Sequence, residues 1–402
     1  MDKILLLIVS LVSSTYAEAD TRILVRGSLV AHNNTNSFQQ NGISHQRFEN
    51  QNLALSQAII AYSTMLTNNW QLHGVANAYS DGDQKIGISQ LYAQYRPLTS
   101  STIKPEIKIG FFYPSISAEN TDFGWMSKPF LSNSAINSWI GEELRTVGIE
   151  ASVRQNGRQV NRSWSWKLTG SIYKGNDSTG TLLSWRGFAL HDRQSLHDDR
   201  IHFLPIPGVV SDSGINAPAW TEPFREIDTR LGYYVGAHLA HQRKSELRYY
   251  YYNNRANPLA VASDRIYAWR TRFHSLTLRH KVNSHVSIFG QALAGDTLMG
   301  EHIVENDFYA TYAGVTYKNK SHQFSARIDW YQVVDNDNFM YDENDSQGEA
   351  LTLNYTYTVS DTVSLSGEWQ TNRGRQQNLI YFTNGNNYHE NTLQLALTYR
   401  LE

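Results

Sequence analysis

The feature that most constrains this chain is a period of two in its hydrophobicity, repeated in segments of about ten residues from Thr21 to the C-terminus. The last segment is the clearest: from Asn391, NTLQLALTYRLE sets Leu393, Leu395, Leu397, Tyr399 and Leu401 on one face and Thr392, Gln394, Ala396, Thr398 and Arg400 on the other. Successive side chains of a strand point to opposite sides, so this pattern describes a strand with one apolar and one polar face. The same alternation runs through KPEIKIGFFY, RTVGIEASVRQ, RLGYYVGAHLA, HQFSARIDWY and ALTLNYTY.

Sixteen such segments can be placed, near 21–31, 52–66, 70–79, 85–97, 104–113, 144–155, 163–174, 228–241, 245–254, 265–280, 285–295, 307–317, 322–333, 348–358, 363–372 and 388–401. The second, tenth, eleventh and twelfth alternate poorly. The connections alternate in length as well. Links after even-numbered segments are mostly short and polar, such as TNN at 67–69, QRK at 242–244 and KNKS at 318–321. Those after odd-numbered segments are mainly longer, with about thirty residues from Pro114 to Glu143 and about fifty from Gly175 to Ile227. A β-sandwich would explain alternating hydrophobicity but not loop length that follows strand parity. An all-β, antiparallel transmembrane β-barrel of sixteen strands explains both, with short periplasmic turns and long extracellular loops.

The N-terminus fits export. MDKILLLIVSLVSSTYAEAD has Lys3, an apolar stretch from Ile4 to Val12 and small residues at Ala17 and Ala19, the pattern of a cleaved signal peptide. Residues 1–19 are therefore set apart from a single barrel domain over 20–402, with cleavage after Ala17 or Ala19. The apolar stretch is too short to span a bilayer as a helix, which takes about 20 residues. The chain has no cysteine, which excludes thiol catalysis, disulfides and Cys-type zinc sites. Its formal net charge of −2 does not describe a polybasic nucleic-acid binder.

In these respects the chain resembles the sixteen-stranded outer-membrane porins of Gram-negative bacteria. The resemblance lies in architecture over the whole mature chain and not in a catalytic motif. It implies residence in the cell outer membrane, contact with membrane lipid and lipopolysaccharide, insertion by the barrel-assembly machinery, a homotrimer, and passage of small hydrophilic solutes without a cofactor. The chain departs from the pattern at its end, where Tyr399-Arg400-Leu401-Glu402 stands in place of a terminal aromatic residue. The resemblance also implies that the third long loop, 114–143, folds into the barrel as a constriction. Its charged and aromatic residues are Glu119, Asp122, Trp125, Lys128, Trp139, Glu142 and Glu143.

With apolar positions toward lipid, the alternate positions line the lumen. These are Lys108, Glu150, Arg154, Lys167, Arg230, Arg248, Arg270, Arg272, Arg327, Asp329, Glu368 and Arg400, with more basic than acidic groups. They predict a water-filled channel for passive diffusion with a mild anion preference. In LRYYYYNN, Leu247 sets the phase: Tyr249 and Tyr251 face lipid, Tyr250 and Tyr252 the pore. Inward tyrosines, among them Tyr92, Tyr173, Tyr234 and Tyr331, offer a second reading, a selective channel that binds an oligosaccharide or anion. A third reading, an outer-membrane hydrolase, lacks a G-x-S-x-G or comparable motif, and the chain is read as no enzyme. The segment HDRQSLHDDRIH lacks a metal-ligand spacing and reads as a solvated external loop, with His191 and His202 locking it at the mouth and no metal bound.

Overall fold

A computed structural model describes residues 19–33, 37–39, 43–49 and 53–402. The signal peptide expected over residues 1–19 lies outside them except for Ala19, the first residue of the first strand. Sixteen strands form one closed barrel in which each pairs with its sequence neighbours and the last pairs with the first. They are β1 (Ala19–His32), β2 (Leu53–Met65), β3 (Trp70–Ala78), β4 (Ile86–Tyr95), β5 (Ile103–Phe112) and β6 (Thr146–Gln155). Next come β7 (Trp164–Lys174), β8 (Gly232–His241), β9 (Ser245–Asn253), β10 (Arg270–Lys281) and β11 (Val286–Met299). The last five are β12 (Val304–Asn319), β13 (His322–Asp335), β14 (Ser346–Thr358), β15 (Val363–Gln376) and β16 (Asn387–Leu401).

Closure pairs Ile23 with Leu401, so the chain enters and leaves at one end, the end that carries the short turns. The eight connections after odd-numbered strands, L1 to L8 in chain order, lie at the other; most are longer, but the link after β11, 300–303, is shorter than the turn after β6, 156–163. The outer face is a band of exposed apolar side chains such as Ile328, Leu395 and Leu397, each more than half exposed. Tyr317, Tyr357 and Tyr399 fringe it near the short turns, as aromatic residues fringe a membrane interface. An apolar band of this extent on every side is a surface for hydrocarbon, not water.

The phase of the alternation is broken in three strands, β2, β4 and β10; in β4 the pairing with β3 shifts register at Ser89 although its sequence alternates well. β2 has a register shift opposite Arg26 and Gly27, and Ser56 and Gln57 are both buried in consequence. In β10 the phase is opposite to the expected one. Thr271, Phe273, Ser275 and Thr277 are buried on the inside, while Leu276 and Leu278 are exposed outside. Arg270 and Arg272 therefore stand on the outward face and do not line the lumen. Arg272 pairs there with Asp296 of β11 at 2.7 Å. Arg230 precedes β8 and is more than half exposed at the long-loop end beside Asp228, so it does not line a strand either.

Candidate functional site: a lumen filled by two loops

The interior is not an open tube. L3 turns into it and forms helix α1 (Ala135–Glu143), capped by the Ser134 hydroxyl accepting from the Asn137 amide. L4 follows it inward, and residues 176–196, including helix α2 (Thr181–Trp185), are buried.

Wall carboxylates hold the start of α1. Asp329 of β13 accepts from the Ala135 amide at 3.0 Å, and Glu368 of β15 accepts from the Leu131 and Ser132 amides at 2.7 and 2.9 Å. The Ala135 amide, at the helix N-terminus, has no partner in the helix itself, so the Asp329 carboxylate is stabilising there, while Glu368 holds the segment that leads into the helix. Arg327 lies between Asp329, 2.8 Å away, and Glu119 of L3, and donates to the Asn133 carbonyl at 2.9 Å. Arg248 donates to the Ser117 carbonyl at 2.7 Å, and Arg400 pairs with Asp122. Within the loop Trp125 stacks on Tyr113, and Trp139 packs against Phe273 and Phe308. Lys128 remains exposed. Glu119 and Asp122 therefore serve as anchors in this arrangement rather than as free charges across a pore. Arg327→Met would leave Glu119 and Asp329 buried without their cation, and the expected loss in L3 docking is about 3–5 kcal/mol. Protease cleavage within 114–143 should rise while the barrel keeps its heat-modifiable gel mobility.

Glu142 and Glu143, also expected at the constriction, join L3 to L4. Glu142 pairs with Arg186 and with His191 at 3.1 Å. Burial disfavours its charge, but Arg186 and His191 outweigh that and hold its pKa near about 2. Glu143 accepts from the amides of Gly180 and Leu182, both at 3.0 Å, and from Trp139 Nε1 at 2.6 Å. Gly180 has φ +110, and a Cβ there would meet the hydroxyls of Thr271 and Thr297, so glycine is required at this contact. Burial dominates at Glu143 and raises its pKa to about 7. A carboxyl raised in the folded state stabilises it most below the unfolded value of 4.5, and that contribution is lost as pH rises through about 7. The difference amounts to roughly 3 kcal/mol. Amide exchange at Gly180 and Leu182, corrected for intrinsic rate, should be slower at pH 5 than at pH 8, and Glu143→Gln should abolish the difference.

The His-rich segment is not a solvated loop. His191, Asp192, Arg193 and Asp199 are buried, while His197 and Asp198 are exposed. Asp192 contacts Arg26 and Arg47, Arg193 pairs with Asp199 at 2.7 Å, and His202 contacts Asp83 at 2.8 Å near the mouth. The inward tyrosines are also covered. Tyr173, Tyr234, Tyr250, Tyr252 and Tyr331 are at most 2 % exposed, and with Trp139, Phe188 and Phe273 they form the core between wall and loops. Tyr252 stacks on Phe273 and on Tyr173, which leaves no open face for a sugar. Of the six tyrosines only Tyr92 borders open space.

That space lies toward the short turns. One cavity, about 910 Å³, is lined by Lys104, Arg154, Arg158, Arg162, Lys167 and Arg243, with Glu246. A second, about 680 Å³, lies against L3 and is lined by Arg22, His73, Tyr92, Arg96, Lys108 and Arg248; both touch Lys167 and His238. Strand register builds a basic row. Lys104 is paired with Arg154, Arg154 with Lys167, Lys167 with His238 and His238 with Arg248, across β5, β6, β7, β8 and β9. Like charges in opposed positions are destabilising, so the Lys104–Arg154 and Arg154–Lys167 pairs need water and counterions. Part of it is compensated: Glu150 lies 3.4 Å from Lys108 and 3.9 Å from Lys167, and Glu246 lies 2.8 Å from Arg248. Among the described residues Lys104, Arg154, Arg158, Arg162 and Arg243 have no ion-pair partner.

Of these, Lys104 shares the phase of Lys108 and was legible in the alternation. Arg158, Arg162 and Arg243 lie in turns, where no alternation exists to place them. Arg26 sits in phase with Leu24 and Val30, so its inward position was hidden by apolar neighbours.

The fold defined by this closed barrel with inserted loops is that of the sixteen-stranded outer-membrane porins. Among solved structures, the outer membrane channel DcaP of Acinetobacter baumannii is 12% identical with a TM-score of 0.55, covering 96% of this chain and 97% of that one. OmpT of Vibrio cholerae, an outer membrane protein in its trimer form, is 10% identical with a TM-score of 0.54 over 96% and 100%. The anion-selective porin from Comamonas acidovorans is 9% identical with a TM-score of 0.52 over 96% and 100%. No protein-family model and no curated protein matches the sequence.

Proposed function

We propose that the chain is an outer-membrane channel for small hydrophilic solutes that favours anions, without a catalytic step. The observation that carries this reading is the row from Lys104 to Arg248 with the unpaired arginines around it. Cations that line a water-filled vestibule raise the local concentration of anions and lower that of cations. The exposed apolar band supports residence in a bilayer, and the fold shared with channels of the outer membrane supports which one. Assembly as a homotrimer is part of the reading, supported by the trimer form of the Vibrio neighbour.

The test is purified full-length protein in planar bilayers under a potassium chloride gradient. Discrete openings with a reversal potential toward that of chloride are expected. A reversal potential toward that of potassium would overturn the anion preference, and the absence of openings under any condition would overturn the channel.

A further inference from the structure

The two inserted loops meet the wall on two sides. Toward β10–β13 aromatic packing, through Trp139 and Phe188 against Phe273, Phe308 and Tyr331, accompanies the Arg327 and Asp329 anchors of L3 and the hydrogen bonds of L4 to Thr271 and Asn306. Toward β1, β15 and β16 the L4 contact is polar, and its centre is one carboxylate. Asp192 is shared by Arg47 of L1, at 2.5 Å, and Arg26 of β1, at 3.3 Å.

The two arginines are not equally served. Arg47 also binds Asp81 through two nitrogens, at 2.9 and 2.7 Å, and the Ser56 carbonyl at 2.6 Å. Arg26 is 7 % exposed, and among the described residues its one ion pair is the 3.3 Å contact and its Nε is buried without a partner. A guanidinium is built to meet a carboxylate with two parallel N–H donors, and a buried donor left unmet is costly. Asp192 cannot give both arginines that geometry from its place on L4. Beside it is a gap of about 30 Å³, bordered by Arg47, His191, Asp192, Glu368 and Gln394, room for about one water.

We propose that Arg26 and Arg47 form a carboxylate-binding site occupied at rest by the chain's own Asp192, and that a carboxylate solute displaces Asp192 and opens the seam between L4 and the wall. A free carboxylate can approach Arg26 in the paired geometry that Asp192 lacks, so it binds the undocked state better than the docked one. Only such a difference in affinity can shift the balance between them. The inference rests on the channel reading above and adds the gate and the class of solute that works it.

The test compares single channels of the full-length protein in potassium chloride and in potassium succinate of equal conductivity. Open probability of the unaltered protein should rise about five-fold or more in succinate. Asp192→Asn should open in chloride alone to a similar level and lose the succinate response, and Arg26→Gln should lose the response. Equal open probability in the two salts overturns the gate, and this comparison stands even if a variant does not fold. So does an Asp192→Asn protein that behaves as the unaltered one. A further variant with residues 188–199 replaced by a Gly/Ser linker separates the two readings. Openings there, with no effect of Asp192→Asn, remove the gate and leave the channel. No openings in any form remove both.

Discussion

Replacing residues 188–199 with a Gly/Ser linker of equal length should raise single-channel conductance several-fold while the barrel still assembles. The segment puts Phe188, Leu190, His191, Asp192, Arg193 and Gln194 into the lumen, all at most 8 % exposed, with a small gap beside Asp192 along the polar wall. A linker of equal length keeps the chain connected without strain, and its lack of side chains removes the packing that fills this space. The strand ladder, the anchors of L3 and the Glu142–Arg186 pair lie outside the replaced residues. Heat-modifiable gel mobility reports the barrel, and conductance reports the lumen. Unchanged conductance in a correctly assembled variant would show that ions bypass L4.

The second large effect is expected from charge. Lys104→Glu, Arg154→Glu and Arg158→Glu together should turn an anion-preferring reversal potential into a cation-preferring one. None of the three has an ion-pair partner among the described residues, so their reversal breaks no pair, and all line the larger cavity. Their field reaches about 10 Å at 0.1 M salt and about 3 Å at 1 M, so the change should be large in dilute salt and small in concentrated salt. Arg270→Glu with Arg272→Glu is the control, since both residues face outward and the pair should leave selectivity as it was. A selectivity that follows Arg270 and Arg272 instead would mean that β10 has the opposite register.

That contrast marks how far the sequence could be followed. In β13 the alternation places Arg327 and Asp329 inside and Ile328 and Trp330 outside, and the structure has them so. In β10 the same reasoning puts Arg270 and Arg272 on the wrong face. The rule that polar means inward assumes a wet lumen, and at this height the lumen is packed with Trp139, to which Phe273 turns. The four tyrosines of β9 show both cases. Tyr249 is exposed outside and Tyr250 and Tyr252 are inside, as Leu247 implies, but the inner pair meets protein rather than solute.

By itself the sequence determined the strands, their number, the parity of their connections and most of their facing. These follow from a period of two and from turn chemistry, which are local. Whether the barrel is open was decided only in three dimensions. Asp192 meets Arg26 across 166 positions and Glu119 meets Arg327 across 208, and no spacing in the chain announces such pairs. A loop rich in His, Asp and Arg reads as solvated until partners of opposite charge, placed by distant strands, make its burial favourable.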